Sequence, residues 1–158
     1  MKKRRTSGSA IAAKDLRNLV LVLGDQLHRH SSAFDGFVPG DDAVWMAEVA
    51  GEARHVPSHK ARIVLFLSAM RHFKTALERE GIVVHYRNLD DAENRGSIAL
   101  ELREEARRFK PRKLIVVEPG EWRVREDLKR AAKEAGIDLE IREDRHFIAS
   151  HADFELFA

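Results

Sequence analysis

Acidic and amide side chains stand where the apolar runs of this chain stop. Gly24, Asp25 and Gln26 follow the run Leu19–Leu23, and Glu48 closes a second run with Glu52 four residues on. Asp90 and Asp91 follow a third run, and Glu118 closes a fourth. In a sheet of parallel strands, ligands bind outside the carboxyl ends of the strands. Carboxylates there repel phosphates. They accept hydrogen bonds from sugar or ribityl hydroxyls and from ring N–H groups, while the Gln26 amide both donates and accepts. A phosphate binder would instead show a glycine-rich turn. Neither G-x-G-x-x-G after the first strand nor G-x-x-x-x-G-K-[ST] anywhere is present, which argues against a dinucleotide-dependent dehydrogenase and a P-loop NTPase. A neutral, polyhydroxylated heteroaromatic compound suits such a rim. The competing reading of the same acids is structural, as helix caps and solvated loop ends.

Other chemistry is poorly supported. Glu52, His55 and His59 have a spacing that one helical face could present to a metal. Pro57 interrupts the segment, however, and no H-E-x-x-H motif occurs, so no metal site is expected. His28 and His30 fall in a loop and read as solvated. No Ser/His/Asp set or carboxylate pair stands out by spacing, so no catalytic residue is assigned. Trp45 and Phe66 read as core residues before they read as a cofactor stack.

The elements that must carry these residues alternate between two periodicities. Leu19–Leu23 is a continuous apolar run, suited to a central parallel strand covered on both faces. Residues 43–49 form a second strand after turn residues at 35–36 and 39–42. Pro57 and Ser58 open a long helix to about Glu80, with Ile63, Phe66, Leu67, Met70, Phe73 and Leu77 at helical spacing and Gly81 as its stop. Strands at 82–88, 113–119 and 137–143 alternate with helices at 96–109 and 121–135. The second of these helices stops at Gly136. Strands separated by helices of this length imply an α/β fold, a Rossmann-like three-layer domain with a five-stranded parallel sheet in the order 3-2-1-4-5.

Composition narrows the class. The chain has 158 residues, 44% hydrophobic and 34% charged, with no cysteine. Disulfides, thiolate zinc sites and cysteine-ligated iron–sulfur clusters are therefore excluded within it. No apolar stretch approaches the roughly 20 residues of a membrane span, and a cytoplasmic location is expected. The net charge of +2 conceals an asymmetry. Residues 1–17 carry six Lys/Arg against one acid, a net of +5, which leaves the remaining 141 residues at −3. Without an apolar stretch behind its charges, residues 1–17 are not a secretory signal. They read as a disordered basic arm able to touch DNA weakly. The α/β domain follows at 18–149.

Four stretches carry a resemblance. "LVLGDQL", "EVAGEARHVPSHKARIVLFLSAMRHF", "VHYRNLDDAENRGS" and "EPGEWRVRED", in this order and spacing, resemble the amino-terminal antenna domain of the bacterial deoxyribodipyrimidine photolyase-related proteins, the iron–sulfur bacterial cryptochromes and photolyases. The likeness runs from residue 19 to about 157. It implies a Rossmann-like antenna domain that binds dimethyl-ribityl-lumazine as its small-molecule chromophore. It further implies a larger helical domain holding FAD, an iron–sulfur cluster and a DNA lesion pocket. There, light drives electron transfer from reduced flavin to a pyrimidine–pyrimidone photoproduct. By the same resemblance Gly24, Asp25, Gln26, Glu48 and Glu52 match the pattern around the antenna pocket. Two positions depart from it: Ala47, where a cysteine can occur, and His55, where a tyrosine can. His55 retains the ability to stack and to hydrogen-bond. Trp122, in the matching "EPGEW" turn, reads chiefly as a packing residue that starts a helix.

The segment 150–158 reads as the start of a further helix, with Ser150 and Asp153 as a capping box and Phe154, Leu156 and Phe157 with little to cover them. The expectation is an antenna domain without its catalytic half, arising from a truncated frame, an excised fragment or a stand-alone domain that works with a separately encoded partner. By itself such a chain would not repair DNA. Two alternatives stand beside it: a stand-alone module binding a nucleotide or flavin-like ligand without photochemistry, and a remnant that folds without binding.

Overall fold

The computed structural model describes residues 16–51, 59–147 and 151–157. Five strands form one all-parallel sheet: β1 (Asn18–Leu21), β2 (Asp42–Ala47), β3 (Val84–Arg87), β4 (Lys113–Val117) and β5 (Asp138–Arg142), in the spatial order β3-β2-β1-β4-β5. The register sets Leu21 opposite both Trp45 and Val116, so the ends of the three central strands lie side by side. The anticipated α/β class and strand order are both observed. The switch between β1 and β4, where successive strands lead away in opposite directions, is the place where a sheet of this kind opens a crevice.

Among the described residues the sheet is accompanied by helices α1 (Lys60–Arg79), α2 (Ile98–Phe109), α3 (Trp122–Ala135) and α4 (His151–Phe157). On one face α2 and α3 lie together. Leu102, Ala106, Leu128 and Ala132 are buried against Leu19, Leu21, Trp45 and Val116 of the strands. Both helices end on a left-handed residue, Lys110 and Gly136, whose N–H reaches back to an otherwise orphaned carbonyl. On the other face α1 covers β2 and β3 with Met70 and Leu77. The neighbouring strands are covered without a full helix. The connection after β1 makes a short 3-10 turn, Ser32–Phe34, that buries Ala33 and Phe34. That turn, read from sequence as part of a plain loop, is held down by Arg142, which donates to the carbonyls of Ser32 at 2.7 Å and Asp35 at 2.9 Å.

Element ends move by at most three residues from their sequence reading. The long helix begins at Lys60, where the His59 ring accepts the Ala61 N–H at 3.2 Å and caps it; Pro57 and Ser58 lie outside the described residues. The larger difference is in what α1 buries. Only Met70 and Leu77 are fully buried, whereas Phe66 is 43% exposed. Arg17, counted with the basic arm on composition, is tied into the fold: its Nε donates to buried Asp42 at 2.8 Å. Among the described residues no helix is long and apolar enough to cross a membrane. In α4, Leu156 and Phe157 are exposed.

Candidate functional site

A cavity of about 310 Å³ opens at the carboxyl ends of the central strands. Its base is the turn after β1, Leu23–Asp25, beside residues 47–49 at the end of β2. Phe66, Leu67 and Met70 of α1 form one wall. The opposite wall is the turn after β4, Pro119–Glu121, with Ile98 and Val124 from the first turns of α2 and α3. The surface is mostly apolar, with Asp25, Arg62 and Glu121 as polar groups at its margin. Apolar walls with a few oriented polar groups are the usual make-up of a small-molecule site, and the volume sits at the lower end of the roughly 300–1,000 Å³ such sites span.

Gly24 permits a close approach. A β-carbon there would fall 2.5 Å from the Phe66 ring and 2.9 Å from the Met70 sulfur. The glycine thus lets α1 lie directly on the strand end and brings the Phe66 ring to the cavity. Asp25 is exposed and leans over the β4 turn, with Oδ2 4.0 Å from where a Gly120 β-carbon would lie.

Glu48 lines the same cavity but is only 1% exposed, and both its oxygens are already engaged. Oε1 accepts from Arg71 Nε and from the Tyr86 hydroxyl, each at 2.6 Å. Oε2 accepts from Arg71 Nη2 at 2.8 Å and from the Leu89 N–H at 2.9 Å. Burial pushes this carboxyl up, but the Arg71, Tyr86 and Leu89 donors outweigh it and hold it below its ordinary value of 4.5. Burial and the Glu48 charge together hold the Tyr86 phenol above its usual range. Glu48 is therefore an anchor that ties β2, α1 and β3 together beneath the cavity. Asn94 extends the tie, its amide donating to the Glu48 and Asn88 carbonyls, each at 2.7 Å.

Gln26 turns away from the cavity. Its amide nitrogen donates to the carbonyls of Glu118 at 3.0 Å and Val117 at 3.3 Å, closing the β1 turn onto the end of β4. Its Oε1 is buried with no partner among the described residues. Asp91 caps the Asn88 N–H, and Glu118 pairs with Arg125 at 2.9 Å. Much of the acidic rim is thus turn lock and ion pair. Gly24, Asp25 and Glu48 are brought together; Glu52 and His55 lie outside the described residues, and His59 caps α1. Among the described residues no group of three His, Asp or Glu side chains could hold a metal ion.

Two residues differ from their sequence reading, and a third was passed over. Phe66, read as core, is cavity wall. Trp122 is not a packing residue: it is the first residue of α3 and 73% exposed, because its position faces away from the buried Val124 and Leu128. Arg62, unremarked in the sequence, stands at the cavity margin. Its neighbours Val64, Leu65 and Phe66 give the one sequence sign of this wall, an apolar run too broad for a single helix stripe.

The sequence is similar to that of a known protein. A (6-4) photolyase of Agrobacterium fabrum (strain C58 / ATCC 33970) is 42% identical over 143 residues, which is 90% of this chain. The chain spans 28% of the length of that relative. The family model described as deoxyribodipyrimidine photo-lyase-related protein matches residues 20–158, a stretch that holds all five strand ends and every described wall of the cavity, and the chain belongs to that family.

Proposed function

We propose that this domain binds an antenna chromophore, dimethyl-ribityl-lumazine or a close flavin relative, for a photolyase- or cryptochrome-like protein of DNA repair or light sensing. The observation that carries the reading is the cavity at the carboxyl ends of β1, β2 and β4. Its Phe66, Leu67 and Met70 wall suits a flat ring system, and its exposed polar groups, Asp25, Arg62 and Glu121, stand where a ribityl chain would lie. Asp25 accepts ribityl hydroxyls in this reading. Glu52 and His55, carried over from the family pattern, complete the polar set, while Glu48 and Gln26 hold the walls in place. The light-driven repair step belongs to sequence beyond this domain, together with FAD and the iron–sulfur cluster; the chain has no cysteine to ligate a cluster.

Fluorescence titration with the lumazine and with riboflavin tests this. Asp25→Ala and Glu52→Ala are expected to weaken binding about threefold or more, since a lost hydrogen bond costs about 0.5–1.5 kcal/mol. Absence of binding by either compound at about tens of micromolar, or unchanged affinity in both variants, would return the rim to a structural role.

A further inference from the structure

The cavity is polarised across its mouth. Among the described residues that line it, Arg62 is the one Lys or Arg. Arg62, Phe66 and Met70 follow one another at four-residue steps on α1, so one face of the helix presents a guanidinium, a ring and a thioether in a row. The helical rise makes that row about 12 Å long. It runs from Met70, beside Gly24, to Arg62 at the margin. No acid occurs in α1 before Glu78, and among the described residues the Arg62 guanidinium meets no carboxylate.

The acids stand on the other side. Asp25 leans toward the β4 turn, and Glu121 in that turn is held by Arg123 at 3.1 Å. Glu48 is neutralised by Arg71 at 2.6 Å, and Glu118 by Arg125 at 2.9 Å. The repulsion of phosphate expected from strand-end acids is thus cancelled at both positions, by cations that only the packing brings there.

We infer that the cavity selects a ribityl compound that carries a phosphate ester at the far end of its chain, as in flavin mononucleotide, and that Arg62 binds the phosphate. The inference rests on the chromophore reading and deepens it by naming the charged member of the ligand class. The ring lies against Phe66 and Met70, the hydroxyls face Asp25, and the phosphate meets Arg62 where the row ends. A guanidinium forks two N–H donors onto two phosphate oxygens, and such charge-assisted bonds are stronger than neutral ones. Arg62 is exposed, so salt screens the contact.

Riboflavin and flavin mononucleotide share one fluorescent ring and differ only in the phosphate, so titrating both against the whole chain isolates that group. At low salt the parent should bind flavin mononucleotide about tenfold more tightly than riboflavin, and the difference should shrink as salt rises. Arg62→Gln should erase the preference by weakening flavin mononucleotide alone, leaving riboflavin and the lumazine unchanged. Glutamine suits an exposed helical position, so the unfolding midpoint should match the parent. Lys133→Gln, which removes an exposed cation in the last turn of α3, should keep the full preference. Equal affinity for the two flavins in the parent overturns the inference and leaves the chromophore reading standing. So does a preference that survives Arg62→Gln, or one lost equally in Lys133→Gln. AMP competing as well as flavin mononucleotide also overturns it, because the phosphate would then be read without the ribityl chain. Failure of riboflavin, flavin mononucleotide and the lumazine alike to bind overturns both readings.

Discussion

The two helical faces of the sheet are built to different standards. The α2/α3 face buries a continuous stripe, with Leu102, Leu128 and Ala106 at zero exposure. α1, the longest helix at 20 residues, fully buries only Met70 and Leu77, and leaves Val64 and Leu65 67% and 71% exposed. Its carboxyl-terminal half is core, and its amino-terminal half is the wall of a cavity. A helix that must leave space against the strand ends cannot also fill that space with its own side chains. The difference separates a face packed for stability from a face that leaves a cavity open.

That division can be broken most forcefully at Leu102. Leu102→Ala on the tight face should cost about 2–5 kcal/mol, read as a fall in the midpoint of thermal or urea unfolding. Leu65→Ala on the open face should stay within about 0.5 kcal/mol. Equal effects would mean that α1 is as much core as α2.

Glu48→Gln tests the anchor between the two halves. It leaves the Leu89 N–H, the Tyr86 hydroxyl or the inner side of Arg71 without an acceptor, and should cost about 2–3 kcal/mol near neutral pH. Because the folded carboxyl is held below 4.5, its stabilisation is complete above that value. It is lost as pH falls through the lower folded one. The gap between parent and variant should therefore narrow on the acid side of 4.5. A gap that stays constant with pH would show that the charge is not what matters.

Gly24→Ala sharpens the comparison on the cavity side. The new methyl group must displace the Phe66 ring, whose half-exposed position leaves it somewhere to go, and shift the flexible Met70 thioether. A chromophore that stacks against this wall should bind about tenfold more weakly, a loss of roughly 1.4 kcal/mol, with a much smaller change in unfolding. The smallest effect is expected at Glu105, the tight face's own buried acid. Burial, with Glu101 beside it, raises its pKa above 4.5 despite Arg108 and Arg87. Its ionised form therefore opposes folding at neutral pH, and that opposition fades as pH falls through the raised value. Glu105→Gln should be neutral or stabilising by up to about 1 kcal/mol, measured as a small rise in Tm. A clear loss would mean that the Arg87 bond outweighs burial.

The sequence alone determined the class and order of the fold. Continuous apolar runs at Leu19–Leu23 and 114–117, alternating with helices that carry Leu102 and Leu128 at helical spacing, admit little but a parallel sheet, because strands covered on both faces need crossovers of that length. It also pointed to the loops that line the cavity, since a parallel sheet opens a crevice at the carboxyl ends of its strands. What it left open was which acids face a ligand. Glu48, Asp91 and Glu118 look alike in sequence. Only the tertiary structure brings Arg71 from α1 and Tyr86 from β3 onto Glu48, and Arg125 onto Glu118, while Asp25 remains exposed at the margin. The roles of Phe66 and Trp122 were decided the same way. An apolar residue at helical spacing is buried only if something lies opposite it, and what lies opposite is set by the packing of the other elements.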